Sequence, residues 1–150
     1  MASAAVEYGF DDAPEIDILV VPGGQGTRTE IDNSKLIDWI ENVSRNAELM
    51  TSVCTGSFLV AKAGLPSEEG DESSKRALSG CARRFDTEVL ENVRFVDDGF
   101  VVSSAGVSAG IDMSLHVIER LCGKEAAESS ARLMEYDYWP NPTPAAVAAD

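Results

Sequence analysis

Cys54 is the residue whose setting most suggests chemistry. It stands in T-S-V-C-T-G, residues 51–56, where a short apolar run meets the start of a helical pattern. A nucleophile at a tight strand-to-helix turn is carried at the C-terminal edge of a sheet, where α/β folds assemble their sites. A helix opening near Thr55 directs its positive end at the thiol and favours the thiolate form. Gly56 permits a close backbone turn and the approach of a substrate. The N–H groups of Thr55 and of Gly24, which follows the first visible strand, are candidate donors to a developing negative charge. On residue types alone the alternative is a structural cysteine, because this side chain also packs as a small buried hydrophobe.

The other reactive side chains are scattered. Cys81 sits beside Arg83 and Arg84, cations that favour a thiolate, in the least legible part of the chain. Cys122 ends an apolar helix face and reads as core. His116, the sole histidine, lies one helical turn after Asp112, a spacing that reads as a helix-surface contact rather than a catalytic dyad. Three cysteines without a C-x-x-C pair, and a single histidine, argue against a disulfide framework and against a structural zinc site. Neither a metal nor a cofactor is expected. G-G-Q-G at residues 23–26 lacks the full spacing of a dinucleotide loop.

The elements that must position Cys54 follow from periodicity. Ile16 and the run from Ile18 to Val21 are short, largely β-branched and stopped by Pro22-Gly23-Gly24, as in a buried parallel strand. Asp32, Asn33 and Ser34 offer caps for a helix carrying Leu36, Ile37, Ile40 and Val43 on one face. Residues 49–53 predict a second strand, and residues 57–63 a helix ended by Gly64 and Pro66. Residues 67–74 have loop composition, and a helical segment is predicted around residues 87–91. Asp97-Asp98-Gly99 predicts a hairpin between residues 93–96 and 100–103. After Gly110 a helix places Ile111, Leu115, Ile118 and Leu121 on one face and stops at Gly123, and residues 124–136 predict a last helix. Strands alternating with helices call for a parallel α/β sheet covered on both faces. The expected organisation is an irregular segment at 1–15, one α/β domain at 16–137 and a loose, proline-rich tail at 138–150.

Composition narrows the partners. A chain of 150 residues that is 44% hydrophobic suits one folded domain. The formal charge of −14 argues against nucleic acid and against an anionic membrane surface. Only four of the twelve basic residues are lysines, a balance that fits an ordinary acidic cytosolic protein or a salt-loving source. No apolar run approaches the ~20 residues that span a bilayer, and residues 1–7 carry no signal-peptide features, so a cytoplasmic location is expected.

Four blocks carry a family resemblance: V-P-G-G-Q-G-T-R at 21–28, S-V-C-T-G at 52–56, A-K-A-G-L at 61–65 and S-S-A-G-V-S-A-G-I-D-M at 103–113. In this order they resemble the ThiJ/PfpI superfamily, whose fold is that of class I glutamine amidotransferases. The V-C-T-G and S-A-G-V-S-A-G-I-D forms are most similar to the isonitrile hydratase-like branch. The resemblance runs over residues 17–136. It implies a three-layer α/β sandwich with a mainly parallel, flavodoxin-like sheet, a nucleophile at Cys54, a supporting hydroxyl at Thr55, and backbone donors near Gly23, Gly24 and Thr55, with Gly56 beside them. Asp112 falls on the family's G-I-D, which implies a supporting residue that caps or orients its helix.

The sequence departs from that pattern twice. Relatives usually open with a strand and helix that supply an acidic residue directed at the cysteine, whereas here residues 16–21 match the strand after that region. An N-terminally truncated domain is therefore expected, and the acid role transfers to none of Asp11, Asp12 and Glu15. Many relatives also carry Thr-His or Thr-Asn after the elbow helix. Aligning K-R-A at residues 75–77 places Ser74 there, a supporting residue that cannot replace a histidine base. The resemblance implies a small-molecule substrate and hydration of isonitriles to N-substituted formamides. Its alternatives are a degenerate interaction or redox-linked domain, or glyoxalase- or deglycase-type chemistry on small aldehydes. Loss of a central strand would expose edges and apolar faces, which predicts a homodimer or else a marginally stable fragment.

Overall fold

A computed structural model of the chain describes residues 5–65, 69–71, 89–91, 93–138 and 143–144. In chain order the elements are β1 (Ile18–Val21), α1 (Thr27–Glu30), α2 (Ser34–Ser44), β2 (Leu49–Val53), α3 (Ser57–Lys62), β3 (Glu69–Asp71), β4 (Val89–Glu91), β5 (Phe95–Asp97), β6 (Val101–Ser104), α4 (Ala109–Cys122), α5 (Lys124–Leu133) and β7 (Thr143–Pro144).

The apolar strands assemble as their composition demands. β1, β2 and β6 are parallel neighbours, with Val21 opposite Ser52 and Val53 opposite Ser104. β5 joins antiparallel to β6 through the Asp97-Asp98-Gly99 turn, in which the Asp97 carboxylate accepts the Gly99 N–H at 2.8 Å. β7 runs parallel beside β5, so the tail predicted to be loose contributes a strand, and the sheet order is β1-β2-β6-β5-β7. The result is a mainly parallel, mixed α/β sheet.

Alternation along the strands divides the core. Val21, Met50 and Val101 face Ile37 and Ile40 of α2 and Leu59 and Val60 of α3. Leu49, Phe95 and Val102 face Met113 of α4 on the other side, and α5 packs against α4. Each of the large side chains fully buried here contributes about 2 kcal/mol of hydrophobic stabilisation. Among the three capping candidates the helix uses Asn33, whose side chain accepts the Leu36 N–H at 3.3 Å. Residues 5–17 cross the outer face of α2, where the Phe10 ring packs at a tilt on Trp39, 5.1 Å between centroids, and Lys35 pairs with Asp11 at 2.9 Å.

Three expectations are corrected. Of the helical segment predicted around residues 87–91, Val89–Glu91 form β4, paired in parallel with β3 inside the acidic stretch read as loop, and residues 87–88 lie outside the described residues. Backbone pairing between distant segments overrides a weak local preference there. Cys122, read as core, is exposed at the end of α4. His116, paired with Asp112 by helical spacing, bonds Asp97 at 2.6 Å, from the hairpin packed beneath the helix.

Two features of the sheet are unusual. Ile18 and Val20 stay 38% and 56% exposed on the face of β1 opposite α2 and α3, and β1 pairs only with β2 among the described residues. The Ser52 hydroxyl is buried in β2 with no hydrogen-bond partner among the described residues. No described helix is long and apolar enough to cross a membrane.

Candidate functional site

Cys54 follows the last residue of β2 and opens a short 3₁₀ turn, Cys54–Gly56, that runs directly into α3. Its φ is +53°, a left-handed conformation that a residue with a Cβ adopts only at a cost of ~1–3 kcal/mol. The chain thereby reverses at the thiol, which is half-buried at the C-terminal edge of the sheet. The Cys54 carbonyl accepts a 2.7 Å hydrogen bond from the Ser57 hydroxyl, which is itself buried and pins the turn to the helix.

The β1 loop packs against this turn backbone to backbone. A Cβ on Gly23 would lie 2.6 Å from the Val53 carbonyl oxygen and 3.0 Å from the Cys54 Cβ. A Cβ on Gly56 would collide with the Val21 carbonyl oxygen and lie 2.9 Å from that of Pro22. Thr55 completes the lock: its hydroxyl accepts the Gly24 N–H at 3.0 Å and donates to the Gly24 carbonyl at 3.2 Å. The buried Thr27 hydroxyl reaches the same carbonyl at 2.7 Å. Gly23, Gly24, Cys54, Thr55 and Gly56 are thus brought into one contact group, with Thr55 holding the two loops together. The Gly24 N–H, expected as an open donor, is engaged by Thr55 in this arrangement. Ser74 and Cys81 lie outside the described residues.

Asp112 is placed elsewhere at the same end of the sheet. It is fully buried in the first turn of α4, 2.5 Å from the Arg94 guanidinium and 3.1 Å from the Tyr136 hydroxyl. Burial, then the charge of Asp112, raise the Tyr136 phenol above its ordinary range, against the opposing Arg94, so its proton is held. A second cluster ties α4 to the hairpin: Asp97 binds His116 at 2.6 Å and Arg120 at 2.8 Å. Burial pushes the Asp97 carboxyl up, but hydrogen bonds from His116 and the Gly99 N–H, with the Arg120 charge, outweigh it and hold the group below the usual carboxylate range. Thr27 and Ser57 were not singled out from sequence, although each sits inside or beside a quoted block. Arg94 and Tyr136 carry no local signal at all.

Clefts flank the elbow on both sides. One of about 310 Å³ is lined by Pro22, Gly23, Leu36, Trp39 and Leu59. The other, about 420 Å³, is lined by Val53, Gly110, Ile111, Ile118 and Met134. Among the described residues no group of His, Cys, Asp and Glu could hold a metal ion.

A profile of the DJ-1/PfpI family matches residues 2–120, across the elbow and the Asp112 turn alike. The chain belongs to the DJ-1/PfpI family. Isonitrile hydratase of Pseudomonas putida is 32% identical over 131 residues, covering 85% of this chain and 55% of that protein. The HTH-type transcriptional regulator GbdR of Pseudomonas aeruginosa is 27% identical over 131 residues, 87% of this chain and 35% of the regulator. The chain therefore spans about half the length of the first relative and a third of the second. A ThiJ/PfpI family protein from Pseudomonas syringae superposes with a TM-score of 0.71 at 28% identity, over 94% of this chain and 57% of that one. DJ-1beta of Drosophila melanogaster gives 0.69 at 21% identity, over 86% and 68%, and the DJ-1/PfpI fold is common to all of them.

Proposed function

We propose that the protein is a cysteine-dependent DJ-1/PfpI domain that hydrates isonitriles to N-substituted formamides. The observation that carries this reading is the left-handed backbone of Cys54 at the β2–helix junction, strain that presents a side chain outward from a sheet edge. The 32% identity to an isonitrile hydratase supports the choice of substrate class. In the proposed cycle the Cys54 thiolate adds to the terminal isonitrile carbon, which takes a proton from water, leaving an enzyme-bound thioimidate and a hydroxide. That hydroxide adds to the same carbon, its proton passes to the nitrogen, and the thiolate departs. The net change is one isonitrile and one water to one formamide, without oxidant or reductant. The N–H of Thr55 faces the developing charge, and the apolar cleft beside Val53 receives the substituent.

The deciding experiment measures hydration of an alkyl isocyanide by the wild type and by Cys54→Ala. Formamide production by the wild type, lost in the variant, is expected; equal rates sink the proposal. A second reading draws on the engaged Gly24 N–H, which leaves fewer donors at the site: Cys54 then serves as an oxidisable thiol. Under that reading peroxide adds oxygen mass to Cys54, and an unchanged mass at excess peroxide rejects it. We further propose a small-molecule substrate, no nucleic-acid or membrane partner, a cytoplasmic location, and a homodimer formed where β1 leaves Ile18 and Val20 exposed. A monomer at every concentration in sedimentation contradicts the dimer.

A further inference from the structure

The buried polar cluster around Asp112 is left unused by the proposed chemistry, and its placement gives it a task. Arg94 precedes β5 and accepts the Ala105 N–H at 2.9 Å, which holds it at the C-terminal end of β6. Val53 pairs with Ser104 at that same end, so Arg94 and the elbow share one edge of the sheet. The guanidinium bonds Asp112 at 2.5 Å, Tyr136 at 3.3 Å and the Ser108 hydroxyl at 3.4 Å. Tyr136 donates to Asp112 at 3.1 Å and approaches the Ser108 carbonyl at 3.4 Å. Ser108 is the residue before α4, yet its side chain makes no cap bond to the helix. The helix start is held by Arg94 and Tyr136 instead.

That start leans on the nucleophile's neighbour. A Cβ on Gly110 would lie 3.3 Å from Val53 Cγ1 and 3.7 Å from Ser104 Oγ, so the first turn of α4 rests directly on the residue before Cys54. The β1 side of the elbow is closed by the Gly23 and Gly56 contacts, which leaves the α4 side as the one whose position a side-chain cluster sets.

We infer that Tyr136 and Arg94 are positioning residues for Cys54, acting through Asp112, the first turn of α4 and the Gly110–Val53 contact. The inference rests on the reading of Cys54 as the nucleophile. Neither residue touches the thiol in this scheme. They fix the height of the helix start against Val53, and with it the direction in which the strained turn aims the side chain.

The test is the rate of Cys54 alkylation by iodoacetamide in the full chain, followed across pH and located by peptide mass, with the exposed Cys122 as internal reference. Tyr136→Phe removes one hydroxyl and keeps the ring. It is expected to slow Cys54 about tenfold relative to Cys122 across the pH range, the scale of a sub-ångström misplacement. Arg94→Lys, which keeps a cation on Asp112 but loses the fork to Ser108 and Tyr136, gives the same displacement. Tyr138→Phe is the control, because that hydroxyl bonds Glu119 farther along α4, at 3.1 Å; it leaves the rate unchanged. A wild-type rate in Tyr136→Phe overturns the positioning role alone, as does equal slowing in Tyr138→Phe. A wild type whose Cys54 reacts no faster than Cys122 overturns the nucleophile reading, and the positioning role with it.

Discussion

The two sides of β2 hold the same turn by opposite means. Toward β1 the contact is backbone on backbone: Gly23 and Gly56 are admitted only because they lack a Cβ, and Thr55 stitches the loops with a single hydroxyl. Toward β6 the contact is made by long side chains, with Arg94 and Tyr136 converging on a carboxylate that has no exposure at all. Backbone packing tolerates no added atom, whereas a side-chain cluster can lose one member and still hold a shape. The first side sets whether the elbow exists, and the second sets how it is aimed.

That contrast can be broken in steps. Gly56→Ala should have the largest effect, because the new methyl collides with the backbone of Val21 and Pro22 and neither can retreat without parting β1 from β2. A loss of at least about 3 kcal/mol in denaturant unfolding is expected, at the upper end of overpacking. Arg94→Met leaves the Asp112 charge buried beside Tyr136 and is expected to cost about 2 kcal/mol, reduced from the full penalty because Arg94 is 43% exposed. A loss as large as that of Gly56→Ala would erase the distinction between the two sides. Cys54→Gly has the smallest effect and the opposite sign. It relieves the left-handed strain and should raise stability by about 1 kcal/mol while removing the thiol. A destabilised Cys54→Gly would mean that the turn is held without strain.

The same contrast explains what could be read from the chain. The β1 side was legible because close backbone approach demands glycine at fixed points, and Gly23, Gly24 and Gly56 stand next to the elbow in blocks a family resemblance can match. The strands at β1 and β2 and the Asp97–Gly99 hairpin were legible from short apolar runs and turn chemistry. The β6 side was not. Arg94 lies in no motif, Tyr136 is at the far end of the domain, and only the fold brings them to Asp112. His116 misled for a related reason: helical spacing offered Asp112 as its partner, whereas the hairpin supplied Asp97 from another element. Nor does a pattern of letters separate a thiol at the end of an amphipathic helix that is covered from one that is exposed, as at Cys122.

The elbow also has a place in time. Gly24 and Thr55, which must meet to close it, are 31 positions apart, and Ser52 and Ser104, which flank it on the other side, are 52 apart. Parallel pairings of this kind wait on loop closure and form slowly compared with helices. Until both have formed, Cys54 sits at the end of an unpaired segment, and only the completed sheet bends its backbone into the left-handed turn. Under the proposed nucleophile role its reactivity is a clock for the end of folding: brief alkylation pulses during refolding should find Cys54 changing last, after the signals of α2 and α4 have settled.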